Sequence, residues 1–160
     1  MTGRQTGRVL ALIIPAALLG GALLSQYGFG LHPCEMCYWQ RWPHEVAIGA
    51  AIVGLLLGRR SAGTALAVVA AIAIIASGAI GLFHAGVEYR WWEGLTTCST
   101  TPGSGSGDVL ADIMNAPLIR CDQAQWTLAG ISLAGFNAIF SILGGGLVLW
   151  LIGRKQGGFA

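Results

Sequence analysis

The sequence predicts an all-α fold: a polytopic membrane four-helix bundle with a long, partly flexible second periplasmic loop that carries a short interfacial helix. Three observations predict it. Apolar residues make up 54% of the 160-residue chain and charged residues only 10%, too greasy a balance for an ordinary soluble domain. The apolar residues are bunched into four stretches, each long enough at about 1.5 Å per residue to cross about 30 Å of hydrocarbon. The basic residues flank one side of those stretches and the cysteines lie on the other. A single integral membrane domain then accounts for residues 1–160.

The first span, residues 9–27, follows Arg4 and Arg8. A basic start before an apolar run is shared with secretory signal peptides. This run is long for a signal-peptide core, and its removal would leave three spans, so an uncleaved helix is expected. Ala17 and Gly21 show the four-residue spacing of small side chains that lets membrane helices approach. In the connection from Gly28 to Cys37, Pro33 lacks a backbone donor and favours an extended entry into Cys34. The second span covers residues 38–57. Starting it at Trp42, with Pro43 in the first turn, would leave only about 24 Å. Cys37 is therefore placed at or near the helix start, with Pro43 as a mild kink further in.

Ala50 and Gly54 repeat the small-residue spacing, as do Ala73, Ser77 and Gly81 in the third span, residues 62–83. His84 follows at its end, level with the mouth of the second helix, while His32 and His44 read as interfacial polar residues. The second outer loop, Ala85–Trp126, contains a Gly/Ser linker from Pro102 to Gly107. Asp108 can then cap a short helix with Val109, Leu110, Ile113 and Met114 on one face, lying in the membrane surface. The fourth span, residues 127–152, holds Asn137, expected to hydrogen-bond between helices.

Arg4, Arg8, Arg59, Arg60, Arg154 and Lys155, six of the nine positive charges, share one side. The positive-inside rule places that side, and both termini, in the cytoplasm. All seven acids fall on the other side. The net +2 is thus a sum of segregated charges rather than a nucleic-acid footprint.

All four cysteines face outward, where disulfides persist. Two residues between Cys34 and Cys37 suit a redox disulfide, and a thiolate at a helix start gains from the helix dipole. Arg41, one turn after Cys37, can add a cation, or it can snorkel to lipid phosphate. Cys98 and Cys121 enclose the Gly/Ser linker. They form either a structural staple or a mobile pair that meets an outside thiol and the inner pair in turn. The cysteines with His32, His44 and His84 also suggest zinc, but structural zinc sites take two close ligand pairs, and Cys98 and Cys121 are far apart. No metal is expected.

The ordered set Pro33-Cys34-Glu35-Met36-Cys37, Gln40-Arg41, then Cys98 and Cys121 before Trp126 resembles the bacterial disulfide bond formation protein B (DsbB) family over essentially the whole chain. The runs His84–Glu88, Trp91-Trp92-Glu93-Gly94 to Cys98, and Cys121-Asp122 to Asn137 resemble one branch of it. The resemblance implies a quinone-dependent, protein-disulfide-generating oxidoreductase of the bacterial inner membrane. In that family the loop pair oxidises a periplasmic thioredoxin-fold partner of the DsbA kind. Electrons then pass to the membrane pair and to a bound quinone, ubiquinone or menaquinone. Carried over, Cys98 forms the mixed disulfide, Cys121 then pairs with Cys34, and Cys37 is the thiolate against the quinone. Arg41 matches the arginine that stabilises that contact, and His84 is a further candidate for it. The long Gly/Ser insert can alter the contact with the partner. Two other readings stand beside this one. A vitamin K epoxide reductase-like enzyme also has four helices and two pairs, but its loop pair comes first. A non-enzymatic metal-binding or assembly protein with a stapled loop is the other.

Overall fold

The computed structural model describes residues 3–58, 60–95 and 119–154. These form α1 (Gly3–Phe29), α2 (Glu35–Leu56), α3 (Ser61–Glu88), a short hairpin of β1 (Thr127–Leu128) and β2 (Ile131–Ser132), and α4 (Leu133–Gly153). Cys98, the Gly/Ser linker and the expected interfacial helix lie outside the described residues.

Three of the helices, α1, α3 and α4, are long and apolar enough to cross a membrane. The fourth, α2, is 22 residues long but carries Glu35, Arg41, His44 and Glu45 in its outer half. Large apolar side chains point outward all round the bundle, among them Leu24, Val46, Leu56, Ile72, Phe140, Leu143 and Trp150. In water such a surface would be a liability; against lipid it is the required one.

The core between the helices is built from small residues. Ala11, Ala47, Ala51, Ala67, Ala70 and Ala71 pack with Ile74, Val148 and Ile152. Small side chains bring backbones together, and dispersion then acts over many contacts. The spacing patterns divide on this point. Gly54 and Gly81 are true close approaches: a Cβ on Gly81 would lie 3.0 Å from the Ala134 carbonyl, and one on Gly54 3.1 Å from that of Gly63. Gly21 meets nothing within 4 Å and instead lines a cavity with Ala17. Arg8, on the cytoplasmic flank in the sequence reading, is buried and donates a hydrogen bond to the Gly54 carbonyl.

A close α3–α4 contact lies at Gly78, where a Cβ would lie 2.9 Å from Ser141 Cβ and 3.0 Å from the Ile142 nitrogen. Both atoms are close to backbone and cannot swing away. Gly78→Ile should therefore cost about 1–3 kcal/mol of overpacking. Thermal unfolding in detergent should show a lowered midpoint, and an unchanged one would contradict this contact.

Two helix ends differ from the apolar pattern. The run from Thr127 opens as a hairpin, because Ala129 (φ 51°) and Gly130 (φ 80°) turn the chain back. The Ser132 side chain then caps α4 by accepting from the Gly135 nitrogen at 3.1 Å. Tyr89 holds this turn to α3, its hydroxyl donating to the Gly130 carbonyl and accepting from the Ser132 nitrogen. In turn, α3 runs past Phe83 to Glu88 before Arg90 (φ 60°) ends it. Trp92 folds back over Gly86 and donates to the Phe83 carbonyl at 2.9 Å. That extra turn carries His84 and Glu88 into the bundle.

Candidate active site

Cys34 is the N-cap of α2, with extended backbone (φ −79°, ψ 174°), and its sulfur accepts from the Cys37 nitrogen at 3.3 Å. Capping sets the geometry of the pair: Cys34 stands just before the helix and Cys37 in its first turn, their sulfurs 3.0 Å apart. Cys37 is thus near the helix start, as expected, with Glu35 the first helical residue. Cys34 is buried and Cys37 half-buried. The Cys34 thiol is pushed above the ordinary thiol range, first by its hydrogen bond with the Cys37 sulfur and then by burial. Cys37, in the first turn of α2, stands at the positive end of the helix dipole, which favours its anion over that of Cys34.

Behind the sulfurs lies a polar stack that threads the bundle. His84 Nε2 is 3.6 Å from Cys34 Sγ, and His84 Nδ1 is 2.8 Å from Gln40 Nε2. The Gln40 amide is oriented from both ends: its nitrogen donates to the Met36 carbonyl and its oxygen accepts from Asn137 Nδ2 at 2.9 Å. Its nitrogen thus faces His84 Nδ1, which must be the accepting nitrogen. The hydrogen of the neutral ring is then on Nε2, facing Cys34 and, at 3.7 Å, Glu88 Oε1. Cys34, Cys37 and His84 lie within 4.8 Å of one another. A nitrogen that carries a hydrogen toward the sulfur serves as a donor there. Among the described residues Cys121 does not complete that compact group.

The stack continues inward. Asn137 joins α2, α3 and α4 as the sequence suggested, donating to Gln40 and to the Ser77 carbonyl and accepting from Ser141. His44 is corrected from an interfacial residue to a buried one, its Nε2 3.0 Å from Asn137 Oδ1 and 2.9 Å from Ser77 Oγ. His32 is exposed, in keeping with an interfacial place.

In front of the sulfurs is a cavity of about 450 Å³, within the size range of sites for drug-sized ligands. Ala17 and Gly21 of α1 and Leu133, Phe136 and Phe140 of α4 form its apolar walls. Cys34, Cys37, Arg41, His84 and Glu88 form its polar end. Arg41 is held in place rather than loose: its guanidinium donates to Gln26 Oε1 at 2.6 Å and to the Ala22 carbonyl at 3.3 Å, and sits 5.3 Å from the Tyr38 ring centroid. A fixed cation and a redox sulfur lining one apolar-walled cavity suit a flat ring with polar oxygens and a greasy tail.

Cys121 is buried and packs in one cluster with Cys34, Met36 and Val87. Beside it Arg120 grips Asp122 with two hydrogen bonds of 2.9 and 2.6 Å, which hold the Asp122 carboxyl below its usual range. Of the site residues expected from sequence, Cys34, Cys37, Arg41 and His84 thus share one cavity and Cys121 adjoins it, while Cys98 lies outside the described residues. Glu88 and His44 were missed as site neighbours. For Glu88 the hint was its four-residue spacing from His84.

Comparison with known proteins points the same way. A family described as "Disulfide bond formation protein DsbB" matches residues 4–151. A disulfide bond formation protein B of Aromatoleum aromaticum is 29% identical, the alignment covering 89% of both chains. Its namesake from Verminephrobacter eiseniae is 33% identical over 94% of this chain and 88% of its own. A third, from Marinobacter nauticus, is 28% identical over 82% of this chain and 81% of its own. No solved structure gives a significant match.

Proposed function

The chain belongs to the disulfide bond formation protein DsbB family, and on that premise we propose that it reoxidises a periplasmic thioredoxin-fold dithiol oxidase and passes the electrons to a membrane quinone. It works in the bacterial inner membrane with both termini in the cytoplasm, the basic flanks setting the orientation. The observation that carries this reading is the Cys34–Cys37 pair opening onto an apolar cavity that also holds Arg41, with Cys121 packed behind Cys34.

The residues divide the work. Cys98 takes the partner's electrons through a mixed disulfide. The Cys121 sulfur released in that step pairs with Cys34, the sulfur in its own cluster, while the partner's second thiol frees Cys98 and leaves the partner oxidised. Release of Cys34 from its contact with Cys37 leaves Cys37 as the free sulfur at the cavity, where the helix dipole and the Arg41 charge favour its anion. Quinone, when bound, supplies the two-electron, two-proton acceptor. The apolar walls keep water from the sulfur. Arg41, anchored to α1 by Gln26 and Ala22, supplies hydrogen-bond donors and a charge that no plausible pH removes. The vitamin K epoxide reductase-like reading needs the opposite order of cysteine pairs, and the matched family does not support it.

Protein purified in detergent should yield extractable quinone, and added quinone should shield Cys37 from alkylation. Arg41→Ala should weaken that shielding about tenfold to a hundredfold, the worth of a charge-assisted hydrogen bond of about 1.5–3 kcal/mol. Arg41→Lys should fall between. Absence of both quinone and shielding would overturn the quinone site; full shielding in Arg41→Ala would remove Arg41 from it.

A further inference from the structure

We propose that His44 is a ligand-binding residue of the cavity: through Nδ1 it accepts a hydrogen bond from a hydroxyl of the reduced quinone, so that the site holds quinol more tightly than quinone. The proposal rests on the quinone reading above and adds the residue that distinguishes the two redox forms. His44 is 3% exposed, and it lines the cavity together with Cys37, Gln40 and Arg41 of the same helix. Cys37, Arg41 and His44 follow one another at steps of four and three residues, so they share one face of α2. His44 stands about 4.5 Å further along the helix axis than Arg41.

The hydrogen-bond network fixes what the His44 ring can do. The Ser77 carbonyl can only accept, so the Asn137 atom facing it at 3.2 Å is the amide nitrogen. Asn137 Oδ1 is then the atom 3.0 Å from His44 Nε2, and it too can only accept. His44 Nε2 therefore carries the hydrogen, and in the neutral ring Nδ1 is an acceptor. This Nδ1 is buried and has no hydrogen-bond partner among the described residues. A buried acceptor left over in a ligand cavity is accounted for by a donor that comes with the ligand. A quinone offers only carbonyl oxygens, which Nδ1 cannot bind. Reduction by two electrons and two protons turns both carbonyls into hydroxyls, and one of these supplies the donor. Arg41, which only donates, can serve an oxygen of either form, so the discrimination falls on His44. Tighter binding of quinol than of quinone favours electron transfer onto the ring by the same factor.

The test is run in the non-reactive Cys37→Ser background. Binding of decylubiquinone and of decylubiquinol, the latter without air, is measured by equilibrium dialysis in detergent, with protein-free micelles as the blank. With His44 present the site should prefer quinol. His44→Leu should lower that preference about threefold to tenfold, the worth of one hydrogen bond, through weaker quinol binding. The substitution orphans no neighbour, because Asn137 Oδ1 keeps the Ser141 hydroxyl and Ser77 Oγ keeps Asn137 Nδ2. In protein with labelled histidine nitrogens and His44 intact, the His44 Nδ1 resonance should move upfield with quinol and stay in place with quinone. His32→Gln and His84→Gln identify the other two histidines, so this measurement decides even if His44→Leu does not fold. An unchanged preference, equal losses for both forms or an Nδ1 resonance indifferent to quinol would each overturn the proposal. Binding of neither form while His44 is present would defeat the quinone reading, and this proposal with it.

Discussion

Cys37→Ser should bring quinone reduction down to the uncatalysed background while the bundle stays folded. A hydroxyl cannot share a disulfide with Cys34, and its proton is held far too tightly to leave an anion at the cavity. The change is small in volume and falls on a half-buried residue whose backbone donor, not its side chain, holds the helix cap. Stability should therefore shift little, and the loss is chemical. The loop cysteines should still exchange with the partner once and then stop, because without a Cys34–Cys37 disulfide the reduced loop pair has no oxidant to take its electrons. The check has two halves: quinone absorbance after addition of reduced partner, and thiol trapping of Cys98 and Cys121 in the same sample. Continued quinone loss would remove Cys37 from the electron path.

Cys121→Ser should accumulate a covalent complex with the oxidised partner through Cys98, whose thiolate opens the partner's disulfide, and Cys98→Ser should form none. The reason lies in where Cys121 sits. It is 6% exposed and packed against Cys34, so an outside thiol has poor access to it, while its route to the inner pair is short. Contact with the partner then runs through Cys98, and without Cys121 this chain has no neighbouring thiol to displace the partner from the mixed disulfide. Non-reducing electrophoresis after acid quench would show the complex. A complex that forms through Cys121 in the Cys98→Ser variant would reverse the two roles.

The centre of this site was legible in the sequence because its determinants are local. Cys34 and Cys37 are set by one helix start, and Arg41 by one further turn of the same helix, so spacing alone places them together. Asn137 was legible as an interhelical contact because a lone amide in an apolar span needs a partner. Its partners were not, since Gln40, His44 and Ser77 come together only when three helices pack. Glu88 was hidden for a different reason. The apolar run ends near Phe83, and the chain beyond it reads as loop. The last turn of α3 is completed by Trp92 closing over Gly86, a contact that hydropathy cannot show. The start of α4 was misplaced in the opposite sense, because the Ala129-Gly130 turn bends residues apolar enough to pass for helix. Gly21 shows the limit of small-residue spacing: the same pattern that marks a helix contact at Gly81 marks an open cavity wall at Gly21.

The coupling of thiol oxidation to quinone reduction at the Cys34–Cys37 pair is tested most directly by one titration. Purified protein loaded with quinone is mixed with the reduced thioredoxin-fold partner, and quinone absorbance and partner thiols are followed together. One quinone should be reduced for each pair of partner thiols oxidised, at a rate that depends on Arg41. Partner thiols that are oxidised while quinone absorbance holds steady would contradict this coupling.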